Sequence, residues 1–264
     1  MDYLFDNLSP VQNALSKRPF GLITDIDGTV SEIASSPGEA YVSPECREHL
    51  SILSGRLELV AAISGRPVVE ARSMVGIDGI VYIGVHGLER WEDDRIEYAV
   101  GVGDYVDKVK TAVERLESLT EIEGLIFDNK GIALAIHYRN CVDKEQALAQ
   151  IRDKISAPEI ADDFKILHGK MVVDLRPPIE AHKGTAVRDL IERHRLQGGI
   201  YIGDDITDVD AFREMHPPNF ISIGVMGDET PDEVIENAGF IVNGVNDVAR
   251  FLKWLSKTSP VSRR

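Results

Sequence analysis

The 264-residue sequence has few cysteines and no long apolar run, and both shortages exclude whole classes of protein. Its two cysteines, Cys46 and Cys141, are far apart and have no CxxC spacing, which excludes a disulfide framework and a zinc knuckle. No stretch approaches the roughly 20 apolar residues of a membrane span, and the N-terminal residues lack the apolar segment of a signal peptide. We therefore expect a cytosolic protein that contacts no membrane.

Basic residues are also scarce. Lysine and arginine total 29 against 44 aspartate and glutamate residues, which gives a formal net charge of −15. So acidic a chain repels nucleic-acid backbones, and no run of five basic residues offers a local exception, so we expect no nucleic-acid partner. The GxxxxGK[ST] string is missing, which excludes an ATPase that holds its nucleotide in a P-loop. Hydrophobic residues make up 43% of the chain, enough for a substantial core.

Short apolar runs alternate with segments of helical spacing in both halves of the chain. The apolar runs cover residues 20–25, 57–63, 79–84, 199–203 and 220–225. This alternation is typical of an α/β protein with a doubly wound parallel sheet, similar to the Rossmann fold.

The pattern changes between the two halves. Residues 89–176 contain two pairs of strand-like segments joined by glycine turns, together with two amphipathic helical segments. We interpret this segment as an inserted α+β domain, and residues 1–88 and 177–264 as the core domain.

Carboxylates concentrate directly after two of the predicted core strands. Asp25 and Asp27 follow the first strand, and Asp204, Asp205 and Asp208 follow another. Ligands bind at the carboxyl ends of the strands in open parallel sheets. Carboxylates this close together repel each other unless they share a cation, and oxygen ligands suit Mg²⁺.

Other polar residues stand at similar positions. Ser64, Gly65 and Arg66 follow a core strand and begin a helix, where free backbone N–H groups can bind an anion, and Lys183 begins a later helix. Taken singly, these residues are equally consistent with ordinary turns, helix caps and a solvated lysine. Taken together, carboxylates, a lysine and a metal around an anion pocket are the groups that phosphoryl transfer needs.

The joint pattern resembles the haloacid dehalogenase superfamily of aspartate-nucleophile phosphohydrolases, and within it the trehalose-6-phosphate phosphatases. The strings that carry this resemblance are Asp25-x-Asp27-Gly-Thr, Ile63-Ser-Gly-Arg66, His86-Gly-Leu-Glu89, His137-Tyr-Arg139, Arg176-Pro177, Lys183-Gly184 and Gly203-Asp-Asp-Ile-Thr-Asp-Val-Asp-Ala-Phe212. The last string is long and specific. The long interval between Ser64 and Lys183 accommodates the insert, which resembles a cap between the second and third motifs of that superfamily.

The resemblance implies roles for the core residues. Asp25 would be the nucleophile and Asp27 the general acid and base, while Lys183 and the Ser64-Gly65-Arg66 segment would bind the phosphoryl group. Mg²⁺ would be held by Asp25, the backbone carbonyl of Asp27, and Asp204. Asp208 would orient Lys183 or a metal-bound water, and Asp205 would either support the metal site or cap the helix that follows.

The resemblance assigns the sugar to the insert, where Arg139, Lys170 and Asp174 would bind it. His86, near the junction of the two domains, is a candidate for the same site, with a hinge role as the alternative. Strand alternation supports the assignment to the insert, because Lys170, Asp174 and Arg176 share one face and His137 and Arg139 another. Without the resemblance these would read as solvated faces. Asp174 stands where the family usually has glutamate, which shortens the side chain that would meet the sugar.

The implied activity is Mg²⁺-dependent hydrolysis of trehalose 6-phosphate, a small-molecule substrate that a separate trehalose-6-phosphate synthase would supply. A phosphatase for another sugar phosphate, such as mannosyl-3-phosphoglycerate or sucrose phosphate, is an alternative within the same mechanism. A non-catalytic sugar-phosphate sensor is the alternative from another class, although a sensor has no need of Asp27.

Overall fold

The computed structural model describes residues 2–34, 37–169, 171–228 and 230–260. Its strands are β1 (Asp2–Tyr3), β2 (Phe20–Thr24), β3 (Leu59–Ile63), β4 (Val81–Gly84), β5 (Glu89–Glu92), β6 (Arg95–Tyr98), β7 (Ile126–Asn129), β8 (Leu134–His137), β9 (Lys165–Gly169), β10 (Val172–Arg176), β11 (Gly198–Gly203), β12 (Phe220–Met226) and β13 (Phe240–Asn243). Its α-helices are α1 (Ser9–Leu15), α2 (Pro44–Ser54), α3 (Val68–Val75), α4 (Tyr105–Arg115), α5 (Lys144–Ile155), α6 (Pro158–Ala161), α7 (Lys183–Arg193), α8 (Val209–Glu214), α9 (Asp232–Asn237) and α10 (Gly244–Thr258).

The chain forms two compact units. The first comprises Met1–Glu97 and Ala181–Arg264, and the second comprises Tyr98–Glu180. The second unit is therefore an insertion in the sequence of the first.

The first unit is built on a nine-stranded sheet in the order β1-β13-β12-β11-β2-β3-β4-β5-β6. The pairs from β1 to β4 are parallel, and β5 pairs with β4 antiparallel. Strands β2, β3 and β11 are buried along their whole length, because both faces of the sheet are covered.

Side chains alternate between the two faces of this sheet. In β3, Val60 and Ala62 pack into one apolar layer with helices α1, α2, α3 and α10. Leu59, Ala61 and Ile63 pack into the other layer, with α7, α8 and α9. The sheet is thus doubly wound, which confirms the predicted α/β class.

The boundary of the insertion differs from the sequence prediction. We expected the inserted domain to begin at residue 89, but β5 and β6 extend the first unit's sheet and the division falls after Glu97. Asp93 and Asp94, with φ of 49° and 59°, form the tight turn that joins these two strands. Strand alternation in this segment indicates a hairpin, but it does not say which sheet the hairpin joins. At its other end the insertion ends after Glu180, whereas we expected residue 176.

The second unit has a four-stranded antiparallel sheet in the order β7-β8-β10-β9. One face carries Leu134, Ile136, Val173 and Leu175, which pack with apolar residues of α4 and α5. This is the predicted α+β insert, with its helices on one side of the sheet. Among the described residues, no helix is long and apolar enough to cross a membrane.

Candidate active site

The site lies where three neighbouring strands of the parallel sheet end. Asp25 follows β2, Ser64 follows β3, and Asp204 follows β11, and these strands are adjacent in the order β11-β2-β3. The backbone N–H of Asp25 still donates to the carbonyl of Ile202 at 2.8 Å, which fixes the start of the first loop against β11. The sheet therefore brings together groups that lie far apart in the sequence.

Lys183 links two buried carboxylates at the centre of this site. Its Nζ donates to Asp25 Oδ1 and to Asp208 Oδ1, at 2.7 Å each. The three side chains are almost completely buried. Burial lowers the pKa of Lys183, but the charges of Asp208 and Asp25 outweigh it and the net shift is upward. Lys183 is thus a fixed cation beside the predicted nucleophile.

Asp208 occupies the bottom of the site. Its Oδ1 accepts from the Tyr201 hydroxyl at 2.5 Å as well as from Lys183. Its Oδ2 accepts from the backbone N–H groups of Asp204 and Asp205, at 3.1 and 3.0 Å. Of the two predicted roles for Asp208, the structure shows the contact with Lys183.

Asp25, Asp204 and Asp208 form an acidic cluster whose nearest oxygens all lie within 4.8 Å of one another. Burial, followed by repulsion from Asp208, raises the pKa of Asp204 to about 7. Burial also raises the pKa of Asp25, although Lys183 opposes the shift. Buried carboxylates that repel one another are stabilised by a shared cation, so these carboxylate oxygens fit a hard divalent metal ion.

The loop after β2 is shaped around Asp204. Gly28 has a φ of 83°, and a Cβ at this position would overlap the Asp204 carboxylate. Thr29 is fully buried, and its hydroxyl donates to Asp204 Oδ1 at 3.1 Å. Glycine is therefore required at position 28 both by the backbone conformation and by the closeness of the carboxylate.

Asp27 is held by Arg66. The guanidinium donates from Nε to Asp27 Oδ2 at 2.8 Å and from a terminal nitrogen to Oδ1 at 2.7 Å. A two-pronged pair of this kind fixes the orientation of the carboxylate as well as its position. We expected Arg66 to bind the phosphoryl group, and in the structure its guanidinium binds Asp27.

The segment Ser64–Arg66, which follows β3, is hydrogen-bonded to the segment that follows β4. The N–H of Val85 donates to the carbonyl of Arg66, and the N–H of His86 donates to the carbonyl of Ser64, both at 2.9 Å. Val85 and His86 have φ of 45° and 57°, which is rare for residues with a Cβ, and the two hydrogen bonds help to hold this conformation. A Cβ on Gly65 would lie 2.6 Å from His86 Nε2, so the position of the His86 ring leaves little room for a side chain at residue 65.

Glu89 stabilises the start of α3, which follows the Ser64–Arg66 segment. Its buried Oε2 accepts the backbone N–H of Val68 at 2.7 Å, at the start of α3. Burial raises the pKa of Glu89, although this hydrogen bond opposes the shift. The carboxylate therefore serves the first turn of α3, two residues after Arg66.

The second unit has a polar face opposite its apolar layer. Asp128 on β7 and Asp174 on β10 both register with Ala135 on β8, which lies between them. Asp174 accepts from Arg176 at 2.8 Å, and Asp128 lies 3.8 Å from His137 Nε2. The small side chain of Ala135 thus lies between two carboxylates on this face of the sheet.

Residues 23–237 match the protein family described as "Trehalose-phosphatase". This match includes both the acidic cluster and the inserted unit. The chain belongs to the trehalose-phosphatase family.

Two curated relatives carry the name of the same family. The chain is 29% identical over 212 residues to a trehalose-phosphate phosphatase of Mycobacterium bovis, covering 78% of this chain and 54% of that protein. It is 30% identical over 207 residues to the Mycobacterium avium trehalose-phosphate phosphatase, covering 76% of this chain and 52% of that one. The chain thus spans about half the length of the curated relatives it matches.

Solved structures give the same fold. The C-terminal domain of the Candida albicans trehalose-6-phosphate phosphatase has a TM-score of 0.79 at 18% identity, with coverage of 94% and 96% of the two chains. A trehalose-6-phosphate phosphatase related protein has a TM-score of 0.75 at 24% identity, with coverage of 90% and 97%. At these identities the likeness establishes the fold: a core with an inserted cap.

The remaining predicted residues of this family member fall outside the core cluster. Arg139 and Asp174 belong to the second unit, and Arg139 lies beyond the end of β8, so it does not share a strand face with His137 as we expected. Lys170 lies outside the described residues. Asp205 directly precedes the turn that leads to α8, at the position of a cap.

Two residues of interest were missed in the sequence. Asp128 stands on an alternating strand, and its pairing with the strand that carries His137 could have been inferred from the hairpin turn at residues 129–131. Tyr201 is flanked by isoleucines inside a buried strand, so it reads as a core residue. No sequence signal shows that its hydroxyl meets Asp208.

Proposed function

We propose that the chain is a phosphatase that hydrolyses trehalose 6-phosphate to trehalose and phosphate. The observation that carries this proposal is the contact of Lys183 with Asp25 inside a buried acidic cluster at the carboxyl end of the sheet. A carboxylate beside a fixed cation and a metal site is suited to attack a phosphate ester, which would otherwise repel it. Membership of the trehalose-phosphatase family supports the choice of substrate.

The metal in this proposal is Mg²⁺, held by Asp25 and Asp204, with the backbone carbonyl of Asp27 as a further ligand. When bound, it supplies positive charge that offsets the repulsion between the carboxylates and the phosphate dianion. Asp208 is not among the proposed ligands. A carboxylate offers about four lone-pair positions, and those of Asp208 meet four protein donors.

In the first step a carboxylate oxygen of Asp25 attacks phosphorus, and the bond from phosphorus to the sugar oxygen breaks. The departing oxygen takes a proton from Asp27, because an alkoxide is a poor leaving group, and this transfer contributes about 10²–10⁴-fold. Lys183 and the buried hydroxyl of Ser64 stabilise the charge on the phosphoryl oxygens. The products of this step are the free sugar and an aspartyl-phosphate.

In the second step a water molecule attacks phosphorus and restores Asp25. Asp27 accepts the proton of this water, and inorganic phosphate leaves. The carboxylate form of Asp27, paired with Arg66, is the form that accepts this proton, so Arg66 serves the second step by orientation. This assigns Arg66 to Asp27 rather than to the phosphate.

The sugar is bound by the second unit in this proposal. The polar face with Asp128, His137 and Asp174 presents acceptors and donors of the kind that sugar hydroxyls need. Arg139, Lys170 and His86 remain proposed sugar ligands on the strength of the family resemblance. Because aspartate is one methylene shorter than glutamate, Asp174 leaves more room for the sugar at this point.

Phosphate release from a panel of sugar phosphates tests the proposal. The panel contains trehalose 6-phosphate, sucrose phosphate, mannosyl-3-phosphoglycerate and glucose 6-phosphate, each with and without Mg²⁺. We expect Mg²⁺-dependent release that strongly favours trehalose 6-phosphate. Asp25→Asn removes the nucleophile and should abolish release from every member of the panel.

The outcomes separate the parts of the proposal. Equal release from several sugar phosphates would refute the substrate and keep the mechanism. Full activity in Asp25→Asn would refute the nucleophile. A folded protein that binds trehalose 6-phosphate and releases no phosphate from any compound would be a sensor.

A further inference from the structure

The Asp208 carboxylate is unusual because its oxygens are occupied by four donors from three parts of the fold. Lys183 comes from the first turn of α7, the N–H groups of Asp204 and Asp205 come from the loop after β11, and the hydroxyl of Tyr201 comes from within β11. A Cβ on Gly203 would overlap the Asp208 carboxyl, so the strand end is shaped to admit it. Such a carboxylate acts as an anchor for what surrounds it.

Tyr201 is held in place by the sheet and by the packing of its ring. Its side chain is fully buried, and its ring packs edge-on against Phe212 with centroids 5.8 Å apart and an interplanar angle of 77°. The strand that carries it pairs with β2 on one side and β12 on the other. Its O–H group is therefore held in one place by packing that does not depend on the loops of the site.

The hydroxyl shares Asp208 Oδ1 with Lys183. Without the phenol, the carboxylate would lose the donor that fixes this oxygen from the strand side, and it could rotate about its terminal torsion. The ammonium that it holds would then move with it. Because Lys183 also contacts Asp25 Oδ1, such a movement would change the surroundings of the nucleophile.

We propose that Tyr201 is a positioning residue of the active site, whose hydroxyl fixes Asp208 so that Asp208 holds the Lys183 ammonium against Asp25. The inference deepens the proposed phosphatase function and takes that function as its starting point. Tyr201 meets no reacting atom in this scheme. It acts only through Asp208 and Lys183.

The chain offers a matched control for the test. Tyr82 is also a fully buried tyrosine, and its hydroxyl donates to the backbone carbonyl of Ile77 at 2.6 Å, away from the acidic cluster. Tyr201→Phe and Tyr82→Phe each delete one buried hydroxyl and keep the ring. A loss that reflects the general cost of a missing hydroxyl would appear in both variants.

Two measurements are made on both variants and on the wild-type protein. The first is kcat and KM for phosphate release. The second is the nuclear magnetic resonance signal of the Lys183 ammonium in protein labelled with ¹⁵N-lysine, without Mg²⁺ and without substrate, assigned by its loss in Lys183→Met. A buried ammonium held by two carboxylates exchanges its protons slowly, so its signal is visible.

For Tyr201→Phe we expect kcat to fall about tenfold with KM within twofold of the wild type, because a hydrogen bond to a charged group is lost. The Lys183 signal should shift or broaden. Tyr82→Phe should leave both readouts unchanged. Comparable losses in the two variants, or an unchanged Lys183 signal in Tyr201→Phe, would overturn the proposal.

The resonance test does not depend on turnover. If the wild-type protein released no phosphate from any substrate, the proposed function would fail, and the Lys183 signal would still decide the role of Tyr201. If Tyr201→Phe did not fold, the wild-type protein would carry the test. A slowly exchanging Tyr201 hydroxyl proton with a cross-peak to the Lys183 ammonium supports the positioning role, and the lack of one overturns it.

Discussion

Replacing Lys183 with methionine tests the central electrostatic feature of the site. The methionine side chain is of similar length and removes the charge, which leaves Asp25 and Asp208, only 4% and 0% exposed, without their ammonium. Each contact of 2.7 Å corresponds to a gross attraction of about 6 kcal/mol at an effective dielectric constant of about 20. Burying the ion opposes this gain by several kcal/mol, so we expect a net loss of about 3–5 kcal/mol in the free energy of unfolding.

The assay is thermal unfolding at two pH values, without metal. For a chain of this size, a loss of that magnitude lowers Tm by about 10 °C. The difference in Tm between the wild-type protein and Lys183→Met should be larger at pH 8 than at pH 5. Without Lys183 the pKa of Asp25, which burial already raises, rises further. When the pKa of a carboxyl group is higher in the folded than in the unfolded protein, its contribution to stability is complete below the unfolded-state pKa. That contribution is lost as the pH rises through the folded-state pKa.

In the wild-type protein, the contribution of Lys183 to the free energy of unfolding should not fall between pH 5 and pH 8. The pKa of Lys183 is itself raised, so its stabilising charge is present well above pH 8. The matched control is Lys253→Met on the exposed side of α10, for which we expect a change in Tm within about 2 °C. A Lys183→Met protein with unchanged Tm, or with the same difference in Tm at pH 5 and pH 8, would refute the reasoning.

Two further substitutions test the groups around the nucleophile. Arg66→Met releases Asp27 and should lower kcat about tenfold to a hundredfold for a sugar phosphate and for p-nitrophenyl phosphate alike, because both substrates form the aspartyl-phosphate whose hydrolysis Asp27 assists; a loss confined to the sugar phosphate would contradict this role. Gly28→Ala places a methyl group against Asp204 and should weaken Mg²⁺ binding in calorimetric titration. Gly79→Ala is its control, because φ is 77° at this position and a Cβ there would meet nothing within 4 Å. The two variants therefore share the backbone penalty and differ only in the clash with Asp204. Equal Mg²⁺ affinity in both variants would contradict the prediction.

The core of the fold could be predicted because its signals are local. Strands β2, β3 and β11 are apolar runs that end in polar turns, and such runs have few alternatives once helices alternate with them. Membership of a sheet is not local in this way. The strands β5 and β6 show clear alternation, yet only packing decides that they extend the large sheet and do not belong to the insert.

The same distinction applies to the site. Asp25, Asp204 and Lys183 were found because each stands at the end of a strand or the start of a helix, where topology alone brings them together. Of the partners that fix side-chain orientation, Asp208 was predicted for Lys183, but Arg66 was not predicted for Asp27, nor Tyr201 for Asp208. Whether Arg66 reaches Asp27 or a phosphate, and whether Tyr201 turns its hydroxyl to Asp208, depends on packing in three dimensions.

The charge of the acidic cluster explains why it could bind a divalent cation. Three carboxylates, Asp25, Asp204 and Asp208, surround one ammonium, Lys183, so the fully ionised group carries a net charge of −2. A phosphate dianion would be repelled by it. Without metal, a proton reduces the excess, since the pKa of Asp204 is raised to about 7. A divalent cation held by Asp25 and Asp204 would supply the two positive charges that bring the net charge to zero, and the repulsion of a phosphate dianion by this group would then be removed.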